Sequence, residues 1–207
     1  MTDRVRAIAP APLAAGKLSP AVRRFINFVG FYAGWYACVG GAARGMPLLG
    51  PAVVAALIVL HLLLVREPGR ELRLVLAAGF VGTVIDSLQA VLGVFSFPVG
   101  ALAAWLCPPW LASIWMIFAT TLTGSMQWLT GRYAVGALLG AVTAPASYYY
   151  GARMGALGLH DPVIASLAAL AIAWAIAMPV LLWLTSWLAP SPPPSASSLS
   201  DLAASSS

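Results

Sequence analysis

Of all the side chains in this sequence, a carboxylate set within an apolar run has the most chemistry to offer. Six residues are acidic, and Asp3, Glu67, Glu71, Asp161 and Asp201 fall in expected loops or tails. Asp86 alone lies inside an apolar run. A carboxyl near the middle of a membrane costs at least ~2.5 kcal/mol on insertion scales unless partners or water reach it, so its presence needs a cause. At 1.5 Å per helical residue, Asp86 lies ~13 Å from the outer end of its run, and Gln89, on nearly the same face, ~9 Å. The same arithmetic puts Tyr149 ~12 Å deep, Thr120 and Thr121 ~14 Å deep, and Arg153 ~6 Å deep with a side chain able to reach inward. A candidate intramembrane polar site of Asp86, Gln89, Thr120, Thr121, Tyr149 and Arg153 follows. Two chemistries fit it. Asp86 could act as a proton or cation site, or it could pair with Arg153 as a buried structural tie that fixes helix register.

Other reactive residues are sparse. Cys38 lies within the first apolar run and Cys107 in a connecting segment, and two thiols build neither a disulfide framework nor a cysteine metal site. His61 lies near the far end of the second run, too distant in depth from Asp86 for a relay, and reads as an interfacial imidazole. Asn27, Ser125 and Gln127 read as interfacial polar groups. No metal-ligand set, cofactor motif, paired carboxylates or nucleophile with an adjacent base is present, so an enzymatic reading ranks last.

The elements that must position these residues follow from composition. Hydrophobic residues make up 61% of the 207 and charged ones only 8%, against about 25% charged in ordinary soluble domains. Mean hydropathy is +0.90. The apolar runs approach the ~20 residues an α-helix needs to cross a bilayer, which points to an all-α polytopic transmembrane bundle. Six spans are expected at about 25–43, 49–65, 73–95, 111–129, 134–157 and 163–189. The intervening 96–110, with Pro98, Pro108 and Pro109 beside Trp105 and Trp110, reads as an interfacial outer loop or re-entrant segment. Residues 1–22 read as a disordered basic tail, 23–189 as the helical domain and 190–207 as a disordered Pro/Ser-rich tail.

Net charge +5 and a pI of 9.7 would suggest nucleic acid in a soluble protein. Here the arginines flank apolar runs, so they report topology and imply no nucleic-acid partner. Arg4, Arg6, Lys17, Arg23, Arg24, Arg66, Arg70, Arg73 and Arg132 fall on the side of the N-terminus, and only Arg44 and Arg153 on the other. That bias predicts a bacterial inner-membrane protein with both termini in the cytoplasm. The stretch from Phe25 to Ala43 exceeds the apolar core of a cleaved signal, and reads as a retained span.

Small residues mark where helices approach closely, because in lipid close packing replaces hydrophobic burial as the organising force. Gly30 and Gly34 mark the first run. Gly136, Gly140 and Ala144, then Ser147, Gly151 and Gly155, mark the fifth, which is expected to be central. The same glycine-rich faces are candidate surfaces for self-association. Trp128, Trp183 and Trp187 near one set of ends, and Trp105, Trp110 and Trp115 near the other, form an expected aromatic belt.

The run from Pro108 to Leu122, followed by Ser125 and Trp128, resembles an uncharacterised bacterial family of small multi-pass inner-membrane proteins. Leu139, Gly140 and Ala141 through Pro145, Tyr148, Gly151, Gly155 and Ala156 resemble a second signature of that family, as do Asn27 to Tyr32 and the Asp86 span. The last span and the tail resemble nothing specific. The resemblance implies a fold and a membrane, not an activity. It further implies neighbours that are cyclopropane-fatty-acid-synthase-like enzymes. The expected partners are then membrane lipids and a lipid-modifying enzyme, and the expected role is an accessory one in membrane-lipid modification or envelope stress. The alternative is a small transporter or flippase using Asp86.

Overall fold

The computed structural model describes residues 19–188, most of which lie in six helices. These are α1 (Pro20–Ala43), α2 (Leu49–Leu64), α3 (Pro68–Val91), α4 (Pro109–Thr123), α5 (Tyr133–Met154) and α6 (Val163–Trp187). Local signals explain their limits. The hydroxyl of Ser19 accepts a hydrogen bond from the Val22 amide at 3.3 Å and caps α1. Pro20, Pro68 and Pro109 each open a helix, where the missing N–H costs nothing. Gly155, at φ 89°, ends α5 in a left-handed turn that other residues rarely adopt.

Chain alternation gives the bundle two chemically distinct ends. At one, Glu71 on α3 meets His61 on α2 and Thr123 on α4, Arg70 on α3 meets Thr185 on α6, and Asn27 on α1 meets Thr120 and Ser125 around the end of α4. Arg23, Arg24, Arg66, Arg70, Arg73 and Arg132 all belong to this end, called here the arginine end. At the other, β1 (Phe95–Ser96) pairs antiparallel with β2 (Gly158–Leu159). Residues 92–108 stay at this strand end. The Cys107 amide donates to Ser87 Oγ at 3.0 Å, the Trp110 indole donates to the Val99 carbonyl at 3.2 Å, and Gly100 lies against Pro47. The Pro-rich segment is a folded loop at the strand end in which Phe95, Phe97 and Cys107 are buried, with Trp110 of α4 buried beneath it.

The centre of the bundle is α4, and the expectation of a central fifth span is corrected. α4 lies against α1, α2, α3 and α6, while α5 lies chiefly along α6. The small residues of α5 explain this. Gly136 and Gly140 face Leu182 and Met178, and a Cβ at Gly140 would come within 2.7 Å of the Trp174 carbonyl, so these glycines form a groove for one neighbour. A comparable approach joins α1 to α2, where a Cβ on Gly50 would lie 2.3 Å from the Cα of Cys38.

Boundaries shift where local chemistry outweighs hydropathy. α3 runs Pro68–Val91 instead of 73–95, so Glu71 is in a helix and buried, not in a loop. Of the residues expected in the tail, Pro20 to Val22 form the first turn of α1 and Ser19 caps it. α4 stops at Thr123 because Asn27 fills the space beside Gly124 and accepts the Ser125 amide; a short 3-10 turn follows at Gln127–Leu129. Residues 1–18 of the tail expected at 1–22, and the tail expected at 190–207, lie outside the described residues. Two helices, α3 and α6, are long and apolar enough to cross a membrane, and α2 and α4 are shorter apolar helices. α1 and α5 are of similar length to α3, but glycines, tyrosines and, in α1, arginines dilute their apolar character.

Candidate functional site

Asp86 is completely buried between three helices. Its Oδ2 accepts from the Trp115 indole at 2.7 Å, and its Oδ1 from the Tyr148 hydroxyl at 2.7 Å and the Gln89 amide at 3.4 Å. These neutral donors replace the hydration the carboxylate gives up and tie α3 to α4 and α5. Gly82 makes room for the indole, because a Cβ there would lie 2.0 Å from Trp115. The far face of that indole stacks on Trp174 with ring centroids 4.3 Å apart and planes 16° from parallel, which carries the chain of contacts to α6.

Of the six expected site residues, the structure brings together Asp86 and Gln89. Thr120 and Thr121 are buried, but their hydroxyls bond back to the carbonyls of Ile117 and Phe118, and Thr120 also accepts from Asn27. Tyr149 faces outward. Arg153 is exposed and makes no ion pair with Asp86, so the expected Asp86–Arg153 tie is corrected. The hydroxyl that reaches the carboxylate belongs to Tyr148. The sequence held a signal for it, because Gly136, Gly140 and Ala144 form a buried stripe whose next member at the same spacing is Tyr148. Burial pushes the nearby Cys107 thiol up, so it is a poor nucleophile.

A second polar cluster, at the arginine end, was not expected. Glu71 is 5% exposed, and its Oε2 accepts from the Thr123 hydroxyl at 2.8 Å and lies 3.2 Å from His61 Nε2. Beside it, the Asn27 amide donates to the carbonyl and hydroxyl oxygens of Thr120 at 3.1 Å each, and its oxygen accepts from the Ser125 amide and hydroxyl. Gln127 is exposed. Reading Glu71 as a loop residue hid this cluster, although Pro68 ahead of an apolar run was the available sign of an earlier helix start.

Two cavities flank α4. One, of about 730 Å³, opens at the arginine end and is lined by arginines, His61, Glu71 and Thr123 over an apolar wall that includes Leu57 and Ile117. The other, of about 610 Å³, is a groove between α1 and α5 floored by α4 and α6. Trp35, Trp110, Trp115, Phe118, Tyr148 and Trp174 line its depth, while Phe28, Tyr32, Tyr36 and Tyr150 on its rim are exposed. Asp86 lines neither cavity. Among the described residues, no group of three or more His, Cys, Asp or Glu side chains could hold a metal ion.

A model of the DUF2878 family, described as a protein of unknown function, matches residues 24–180. The chain belongs to the DUF2878 family. The match runs from the first turns of α1 into α6 beyond Pro179, so the sixth helix, which resembled nothing specific by sequence reading, belongs largely to the family domain. Asp86, Tyr148, Trp115, Glu71 and Asn27 all fall within it. No curated protein and no solved structure matches the chain.

Proposed function

We propose that this chain is a six-span inner-membrane protein with cytoplasmic termini that receives the hydrocarbon part of a membrane lipid in its aromatic groove, as an accessory component of lipid modification or envelope maintenance. The observation that carries this reading is the groove itself. It is apolar and aromatic, within the size range of small-molecule sites, and rimmed by residues on the side of the bundle, where acyl chains would lie.

The distribution of polarity supports the membrane setting. Outward residues such as Phe80, Ile164 and Leu138 are 72%, 75% and 67% exposed, whereas Asp86, Gln89, Glu71, Thr120, Thr121, Ser166 and Thr185 are buried. Apolar surface outside and polar groups gathered inside, most of them hydrogen-bonded, suit a bilayer as solvent. Six described arginines at one end against Arg44 and Arg153 at the other support the cytoplasmic assignment of the arginine end. A transport role for Asp86 has no comparable support, because that carboxylate is sealed and lines neither cavity.

The test measures phospholipid retained by the protein after detergent exchange, by mass spectrometry, for wild type and for Thr143→Trp, which adds bulk to an exposed residue of the groove lining. Stoichiometric lipid in wild type and its loss in the variant is the expected result. Equal retention by both would overturn the groove assignment, and release of the protein from membranes by alkaline carbonate would overturn the membrane assignment itself.

A further inference from the structure

We infer that the cavity at the arginine end is a binding site for a phosphate group carried on an apolar moiety. Four arginines line it, Arg23 and Arg24 from α1, Arg66 from the connection after α2, and Arg70 from α3. Two carboxylates, Glu67 and Glu71, face the same space, and Glu71 is already engaged by His61 and Thr123. The balance is positive, and among the described residues none of the four arginines forms an ion pair.

Arginines near a membrane surface usually report topology alone. Two features set these apart. Arg73 and Arg132 belong to the same end yet do not line the cavity, so the four that do are a selected group. Arg70 is also held inward, with its Nη2 donating to the Thr185 carbonyl at 3.0 Å and its Nε buried without a partner. A buried N–H normally finds an acceptor, and a phosphate oxygen is one that guanidinium groups match in geometry and charge. α1 and α3 both begin at this end, adding the positive ends of two helix dipoles to the field. Deeper in, Leu57, Leu60, Ile117 and Leu122 offer an apolar wall that free phosphate would not use. The cavity of about 730 Å³ therefore suits an amphiphile with a phosphate at its mouth.

This site is separate from the aromatic groove, and its test is independent of lipid retention there. The full-length protein in detergent is titrated with inorganic phosphate against chloride of matched ionic strength, with thermal stability as the readout. It is then reconstituted in nanodiscs of phosphatidylglycerol or of a galactosyl diacylglycerol, whose headgroup carries no phosphate, and melted again. Stabilisation by phosphate and by phosphatidylglycerol assigns a lipid headgroup, and stabilisation by phosphate alone assigns a soluble phosphate compound. Arg66→Gln, at a side chain that makes no hydrogen bond among the described residues, and Arg70→Gln should each weaken the effect about tenfold in apparent affinity. Arg73→Gln should not. No stabilisation by either probe would overturn the inference, as would an equal loss in Arg73→Gln, which marks general surface charge.

Discussion

The indole nitrogen of Trp115 stands 2.7 Å from Oδ2 of Asp86, so the central helix is fastened to α3 by a donor with no charge of its own. Replacing Asp86 by Asn keeps the shape but turns one acceptor into a donor facing Trp115 or Tyr148. Stability should fall by about 1–3 kcal/mol, the cost of leaving a buried polar group unmatched. Arg153→Gln should change little and should not rescue Asp86→Asn, because Arg153 is exposed and outside the cluster. A detergent melting series of the three proteins checks this. A coupling between positions 86 and 153 beyond about 0.5 kcal/mol would restore the ion-pair account.

Gly82→Ala should be among the most disruptive single-atom additions to α3, since the new Cβ would lie 2.0 Å from the Trp115 ring. Overpacking of this kind costs about 1–3 kcal/mol. Loss of stability with a shifted tryptophan emission spectrum is the expected outcome. Gly69→Ala, where nothing lies within 4 Å, should leave the spectrum unchanged.

Helix number was legible because long apolar runs are a local signal, whereas the starts expected at 25, 73 and 111 fell after the prolines that open α1, α3 and α4, Pro20, Pro68 and Pro109. The partners of Asp86 were less legible. Depth along a helix places Tyr148 and Tyr149 within about 1.5 Å of each other, so depth cannot choose between them. Only rotation can, and the buried stripe through Gly136, Gly140 and Ala144 carries that information. Glu71 was misplaced for a related reason, since a hydropathy reading starts a helix at its first apolar residues while a polar first turn can already be helical. The central position of α4 depends on contacts between distant segments, and no local pattern encodes it.

Asn27→Ala should lower stability by about 1–3 kcal/mol, because it removes both the donor to Thr120 and the acceptor that holds the chain turning out of α4 at Ser125. Limited proteolysis between Gly124 and Arg132 should become faster in the variant. Unchanged cleavage there would show that the turn holds itself.

Cys38 and Cys107 are both buried, so neither native thiol should react with a membrane-impermeant maleimide in the folded protein, and both should react after unfolding in SDS. That silence makes cysteine scanning practical. Cysteines placed at Leu102, which is 86% exposed in the same loop, and at Asp161 should be labelled in intact cells with a permeabilised outer membrane, and cysteines at Arg66 and Arg132 only after lysis. Labelling at Arg66 in intact cells would invert the orientation.

The most enclosed helix is also the shortest. The 15 residues of α4 rise about 22 Å, less than the ~30 Å of hydrocarbon in a typical bilayer, whereas the 24 residues of α3 rise about 36 Å. In the membrane setting proposed above, α4, surrounded by α1, α2, α3 and α6, would have little contact with lipid and almost no hydrophobic mismatch. There, a change of bilayer thickness would fall on the outer helices, which would tilt about α4. Both cavities are walled on one side by α4 and on the other by α1, so on that reading their widths would follow such a tilt, and bilayer thickness would be a variable for each of them.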